Sequence, residues 1–102
     1  MSGIKEGERN TALVTGSGRG IGRGIAAALA ERGWTVAVHY RANRDTAEET
    51  LEELRRRGGD GFTVSADISD LDQHEALVEK VLEKRGGIDL FVNNAGIAPR
   101  TP

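Results

Sequence analysis

Between Thr15 and Gly24 the chain reads TGSGRGIGRG, a glycine at every second position from Gly16 on, directly after the apolar run Ala12-Leu13-Val14. Glycine has no Cβ, so a backbone built this way can turn sharply and let another group approach its amides closely. Where an extended run enters a turn and then a helix, the first helical N–H groups have no intrahelical partner and lie at the positive end of the helix dipole. The chemistry such a turn can do is anion binding, and phosphate is its natural guest.

The spacing must be read from the strand end, because so many glycines satisfy several patterns by accident. Counted from Gly16, a Gly-x-Gly-x-x-Gly/Ala fingerprint needs glycine or alanine at position 21, where the residue is Ile21. A match at Gly22, Gly24 and Ala27 falls inside the expected helix, where no strand end points at it. The Walker pattern fails as well, since no Gly-Lys pair follows at the required place. What fits is Thr15-Gly16, three residues, Gly20, one residue, Gly22.

The elements that must position this turn follow from periodicity. Thr11 to Thr15 suits a strand buried on both faces. From Gly20 a helix is expected with Ile21, Ile25, Ala28 and Leu29 at helical spacing and Gly33 as its stop. Thr35 to His39 gives a second strand, and the segment from Asn43 a second helix with Ala47, Leu51 and Leu54 on one face. Arg55 to Arg57 place cations over its carbonyl end, before Gly58 and Gly59. Phe62 to Ser65 gives a third strand. Ser69, with Asp72 three residues on, is the expected cap of a third helix bearing Leu77, Val78, Val81 and Leu82, which Gly86 and Gly87 stop. Ile88 to Asn93 is the fourth strand, and Pro99 and Pro102 argue against regular structure after it. The order βαβαβαβ predicts an α/β fold: the amino-terminal part of a Rossmann-type doubly wound parallel sheet, strand order 3-2-1-4, as one domain over residues 1–102. Ligands of such sheets bind beyond the carboxyl ends of the strands.

Three features together, TGSGRGIG, ADIS after the third strand and VNNAG after the fourth, resemble the short-chain dehydrogenase/reductase family, and within it 3-oxoacyl-[acyl-carrier-protein] reductase-like members through TGSGRGIG and GGIDLFVNNAGI. The likeness covers Ala12 to Ile97. It implies a nicotinamide dinucleotide cofactor, with Gly16, Ser17, Gly20, Ile21 and Gly22 forming the pyrophosphate turn. It also implies Asp67 accepting from the adenine amino group, Ile68 packing on that ring, and Asn93, Ala95 and Gly96 lining the ribose and nicotinamide side. The plain alternatives are strand termination for Asn93 and Asn94 and a cap or turn carboxylate for Asp67.

Charge bears on the choice of cofactor. An acidic residue near the end of the second strand would bind the ribose 2′-hydroxyl and repel a 2′-phosphate. Between Glu31 and Asp45 there is no Asp or Glu, and the corresponding place is held by Tyr40, with Arg41 next and Arg19 in the glycine turn. Two guanidiniums suit a dianionic phosphate, so NADP(H) is expected over NAD(H), with Arg19 and Arg41 as its readers; as bland alternatives, both are solvated surface arginines.

The resemblance also implies a catalytic serine and a tyrosine four residues before a lysine. The one tyrosine, Tyr40, has Arg44 four residues on and belongs to the second strand, so no catalytic residue is assigned and the chain is expected to be a cofactor-binding fragment that is inactive by itself. The reading is an oxidoreductase acting on a ketone or secondary alcohol, including a 3-oxoacyl thioester, with the small carbonyl substrate taken only by a complete enzyme. A stand-alone nucleotide-binding module and an inactive remnant are the alternatives. With 14 basic and 16 acidic residues and a net charge of −2, there is no electrostatic footprint for nucleic acid or anionic membrane. No apolar run is long enough to span a bilayer and no cysteine is present, so a cytoplasmic protein is expected. His39 and His74 have no ligand-spaced partner and read as packing or solvent-facing, not metal-binding. Trp34 reads as packing. The fourth strand, as an apolar edge, is expected to favour self-association.

Overall fold

A computed structural model describes residues 10–18 and 20–94. Seven elements alternate along the chain: β1 (Thr11–Val14), α1 (Gly20–Glu31), β2 (Thr35–Tyr40), α2 (Arg44–Arg56), β3 (Asp60–Ser65), α3 (Leu71–Arg85) and β4 (Leu90–Val92). The strands form one sheet in the order β3-β2-β1-β4, every neighbouring pair parallel. This is the expected Rossmann-type arrangement.

The central strands β1 and β2 are buried along most of their length because helices cover both faces of the sheet there, whereas β3 and the edge strand β4 are only partly buried. Val36 and Val38 of β2 pack with Val14 against Ala26, Ala27 and Ala30 of α1 and Ala47, Leu51 and Leu54 of α2. On the opposite face Leu13, Ala37 and Val64 pack with Leu77 and Val81 of α3. The two-residue side-chain period of β2 thus feeds two cores. Register is continuous from Thr11↔Thr35 to Val14↔Val38, and from Ala12↔Leu90 to Val14↔Val92, so β1 and β4 end side by side and β2 runs on past them to Tyr40.

Several expectations are corrected in detail. The face of α1 that packs is Gly22, Ala26, Ala27 and Ala30, whereas Ile21 is 72% exposed, Ala28 is exposed and Ile25 and Leu29 are only half-buried. Small residues win that face because the helix lies too close to the glycine turn and the sheet for branched side chains. In α3, Leu77 and Val81 are buried while Val78 and Leu82 face outward. The N-cap of α3 is Asp70, whose carboxylate accepts from the Asp72 N–H at 2.9 Å, and not Ser69, whose hydroxyl is used on Asp67 instead. β3 begins at Asp60, two residues earlier than expected, because its pairing with β2 starts at Thr35↔Asp60. The second helix begins one residue after Asn43, which is its N-cap, the Asn43 side chain accepting from the Thr46 N–H at 3.2 Å. β4 lies at an edge of the sheet, with Phe91 55% exposed.

Candidate functional site

The carboxyl ends of β1, β2 and β3 bring together the glycine turn, Tyr40-Arg41 and Asp67. The turn leaves β1 at Thr15, and its backbone passes through the left-handed region at Gly16 (φ 65°) and again at Gly20 (φ 66°), which glycine enters without steric cost. Gly22 is required for a different reason. A Cβ there would lie 2.2 Å from the Gly16 carbonyl oxygen and 2.8 Å from Asn94 Nδ2, so only glycine lets the first turn of α1 sit against the loop. The first turn of α1 contains no acidic residue to offset its dipole, leaving its unpaired amides at positive potential.

Four neighbours fix the turn. His39 holds it from β2: the Gly16 N–H donates to His39 Nδ1 at 2.9 Å and the Ser17 N–H to the His39 carbonyl at 3.1 Å. The buried Ser17 hydroxyl donates to the Val14 carbonyl at 2.6 Å and accepts from the His39 N–H at 2.9 Å. From α2, Thr50 Oγ1 donates to the Gly18 carbonyl at 2.8 Å. Arg23 donates to that carbonyl at 2.7 Å and to Thr50 Oγ1 at 2.8 Å. From beyond β4, Asn94 Nδ2 donates to the Gly16 carbonyl at 3.2 Å, and Thr15 Oγ1 lies 3.2 Å from Asn93 Oδ1.

Beside the turn a groove of about 320 Å³ opens among Gly16, Gly18, Tyr40, Arg41, Asn43 and Thr46. Arg41 is exposed, and its Nε lies 3.8 Å from Asp67 Oδ1. Asp67 Oδ1 also accepts from Ser69 Oγ at 2.6 Å and from the Ser69 N–H at 3.1 Å. These Ser69 bonds, with Arg41 as a lesser cause, hold the carboxyl below the usual aspartate range and keep it ionised. Asp67 thus makes a side-chain turn on Ser69 while facing Arg41, which lines the groove. Ile68 is half-buried against the α3 side of the core.

Of the residues singled out in the sequence, Gly16, Ser17, Gly20, Ile21, Gly22, Tyr40, Arg41 and Asp67 gather at this end of the sheet, with Asn93 after β4. Arg19, Ala95 and Gly96 lie outside the described residues. Sequence reasoning missed Asn94, Arg23 and Thr50, and took His39 for a packing or solvent-facing residue. His39 is in fact buried, 2% exposed, with both ring nitrogens engaged. For Asn94 the VNNAG block was the available signal; for the Arg23–Thr50 pair the sequence carried none. His74 is exposed and its Nε2 rests on the Ile68 carbonyl. Trp34 packs against the α1 side of the core, as expected. Among the described residues no group of three or more His, Cys, Asp or Glu could hold a metal ion. No described helix is long and apolar enough to cross a membrane.

A parallel sheet in this order with a glycine turn on the first strand defines a dinucleotide-binding class of fold. The sequence matches the family described as short chain dehydrogenase over residues 10–102. It is 46% identical over 87 residues to the 3-oxoacyl-[acyl-carrier-protein] reductase of Staphylococcus aureus, covering 85% of this chain and 35% of the relative. It is 45% identical over 87 residues to the 1-cyclohexenylcarbonyl-CoA reductase of Streptomyces collinus, covering 85% and 31%. Among solved structures, a landomycin C-6 ketoreductase with bound NADP and rabelomycin superposes with a TM-score of 0.77 at 41% identity, covering 90% of this chain and 40% of that one. The chain belongs to the short-chain dehydrogenase family, whose members bind a nicotinamide dinucleotide, and it resembles the amino-terminal portion of 3-oxoacyl-[acyl-carrier-protein] reductases. It spans 35% of the length of the first of those relatives.

Proposed function

We propose that this chain is the cofactor-binding part, a single nucleotide-binding domain, of an NADP(H)-dependent oxidoreductase that interconverts a ketone and a secondary alcohol, with a 3-oxoacyl thioester, the substrate class in the name of the Staphylococcus aureus relative, as its substrate class. The observation that carries the reading is the cradle at Gly22: the space a Cβ would fill is taken by the Gly16 carbonyl, and this packing sets the amides of the turn at the end of β1. The pyrophosphate would rest on the amides of the turn and of Gly20, Ile21 and Gly22. Asp67 would accept from the adenine, and Asn93 would face the nicotinamide ribose. When bound, the cofactor supplies the hydride. These 102 residues contain one tyrosine, Tyr40, and no Tyr-x-x-x-Lys, so binding and orientation, not proton transfer, are what they contribute.

Preference for the 2′-phosphate is supported by the end of β2. No carboxylate lies between Glu31 and Asp45, Tyr40 ends the strand, and the exposed Arg41 guanidinium stands at the rim of the groove. The groove also opens on the N-terminus of α2, whose first-turn amides favour an anion, although Asp45 in that turn offsets part of the effect. Among the described residues Arg41 is held by an exposed contact to Asp67 at 3.8 Å, which leaves it able to turn to a phosphate at little cost. Arg41→Asp should weaken NADPH binding in a fluorescence titration by about tenfold or more while changing NADH binding far less. Equal losses for both would refute the preference.

A further inference from the structure

We infer that His39 is the positioning residue of the glycine turn: through its neutral Nε2–H tautomer it ties the Gly16 amide to the end of β3, and the turn is set for a dinucleotide phosphate only in that state. This rests on the cofactor reading above. The Gly16 N–H can only donate, so Nδ1, 2.9 Å away, must accept and carries no proton. The Ala66 carbonyl can only accept, so Nε2, 2.8 Å away, must carry it. No other protonation state serves both partners, and a ring flip would set the carbons Cδ2 and Cε1 near them in place of the nitrogens and satisfy neither. The backbone of His39 adds its two bonds to Ser17, so β2 grips Gly16 and Ser17 together. Ala66 immediately precedes Asp67. One imidazole therefore spans the distance between the turn that would hold pyrophosphate and the residue that would read adenine.

Protonating Nδ1 would set an N–H against the Gly16 N–H and release the turn. The surroundings oppose that charge. The turn from Thr15 to Gly18 and the strand β1 carry no titratable side chain. On α3, which covers this face of the sheet, Leu77 and Val81 point inward, while Lys80 is held on the Ser65 carbonyl and His74 on that of Ile68. Arg41 and Asp67, the adjoining charges along the chain, pair with each other. Burial accordingly pushes the His39 imidazole below the ordinary histidine range, with the Ala66 carbonyl opposing the shift in part.

The test is a set of ¹⁵N spectra and NADP⁺ titrations by calorimetry between pH 8 and pH 5 on the wild type, His39→Asn and His39→Leu. Asparagine keeps one acceptor and one donor without a titrating group; leucine removes both. We expect an Nε2–H tautomer whose titration moves the Gly16 amide resonance at the same midpoint. NADP⁺ affinity of the wild type should fall by about tenfold or more across that midpoint, a step absent from His39→Asn after the common titration of the cofactor's own phosphate. His39→Leu should bind about tenfold more weakly than wild type at pH 8, where a lost buried partner is felt in full. A Gly16 amide indifferent to the His39 titration, or His39→Leu binding as tightly as wild type, would overturn the inference. No NADP⁺ binding by the wild type at pH 8, with the Gly16 coupling intact, would instead overturn the cofactor reading.

Discussion

Replacing Gly22 by alanine should separate the cradle from ordinary helix energetics. A Cβ at Gly22 would sit 2.2 Å from the Gly16 oxygen and 2.8 Å from the Gly16 carbonyl carbon, both backbone atoms of the turn. To restore normal contact the turn and α1 must part by roughly 1 Å, and forced overpacking of this kind costs about 1–3 kcal/mol. Alanine offsets part of that through helix propensity, by up to about 1 kcal/mol. For a domain of this size each kcal/mol moves Tm by about 4–8 °C, so with a full propensity offset the net loss is at most about 2 kcal/mol and Gly22→Ala should lower Tm by up to roughly 15 °C. Gly24, half a turn further along α1, is the control, because a Cβ there meets nothing within 4 Å. Gly24→Ala should therefore raise Tm by about 4–8 °C from propensity alone. Thermal unfolding followed by far-ultraviolet circular dichroism reads both changes. NADPH titration of the same proteins should show weakened binding for Gly22→Ala and unchanged binding for Gly24→Ala. A Gly22→Ala protein melting at or above wild type, or a Gly24→Ala protein falling as far as Gly22→Ala, would refute the close-approach reasoning.

Stability should decline with acid in two separate windows. Because His39 is harder to protonate folded than unfolded, the unfolded chain binds the extra proton first, so its contribution is complete above pH 6.5 and is lost as pH falls through that value toward the lower folded pKa. Asp60 and Asp67, whose pKa values are lowered, contribute above their unfolded value of 3.8 and lose that contribution below it. Urea unfolding at steps from pH 8 to pH 3 should resolve the first window and show it missing in His39→Asn; an identical pH profile for the two proteins would refute the assignment. Phe91, half exposed on the edge strand β4, should make the 102-residue chain self-associate, and Phe91→Lys should shift sedimentation toward monomer; equal sedimentation of the two at the same concentration would count against that edge as the contact.

The sequence reveals what depends on local pattern and hides what depends on register. The central strands β1 and β2, covered on both faces, leave short apolar runs between helical patterns, so the alternation of elements, and from it the sheet, could be read directly, and the glycine turn was legible because its spacing from a strand end is fixed. The face of α1 was misread because close packing selects residues that carry no hydrophobic signal: Gly22, Ala26 and Ala30 bury the helix, while Ile21 is conspicuous and exposed. The ties of the site were invisible for a different reason. Gly16 meets His39 across 23 residues and Asn94 across 78, contacts that exist only once β1 is set beside β2 and β4. In the register Val14↔Val38, His39 follows the paired residue directly and turns to the face of the sheet that α3 covers, as Ala37 does. A slip of one residue would turn the imidazole to the α1 side and leave the Gly16 amide without its acceptor. The same histidine is thus a bland packing residue in the linear pattern and a specific hydrogen-bonding group in the fold, and only strand register separates the two.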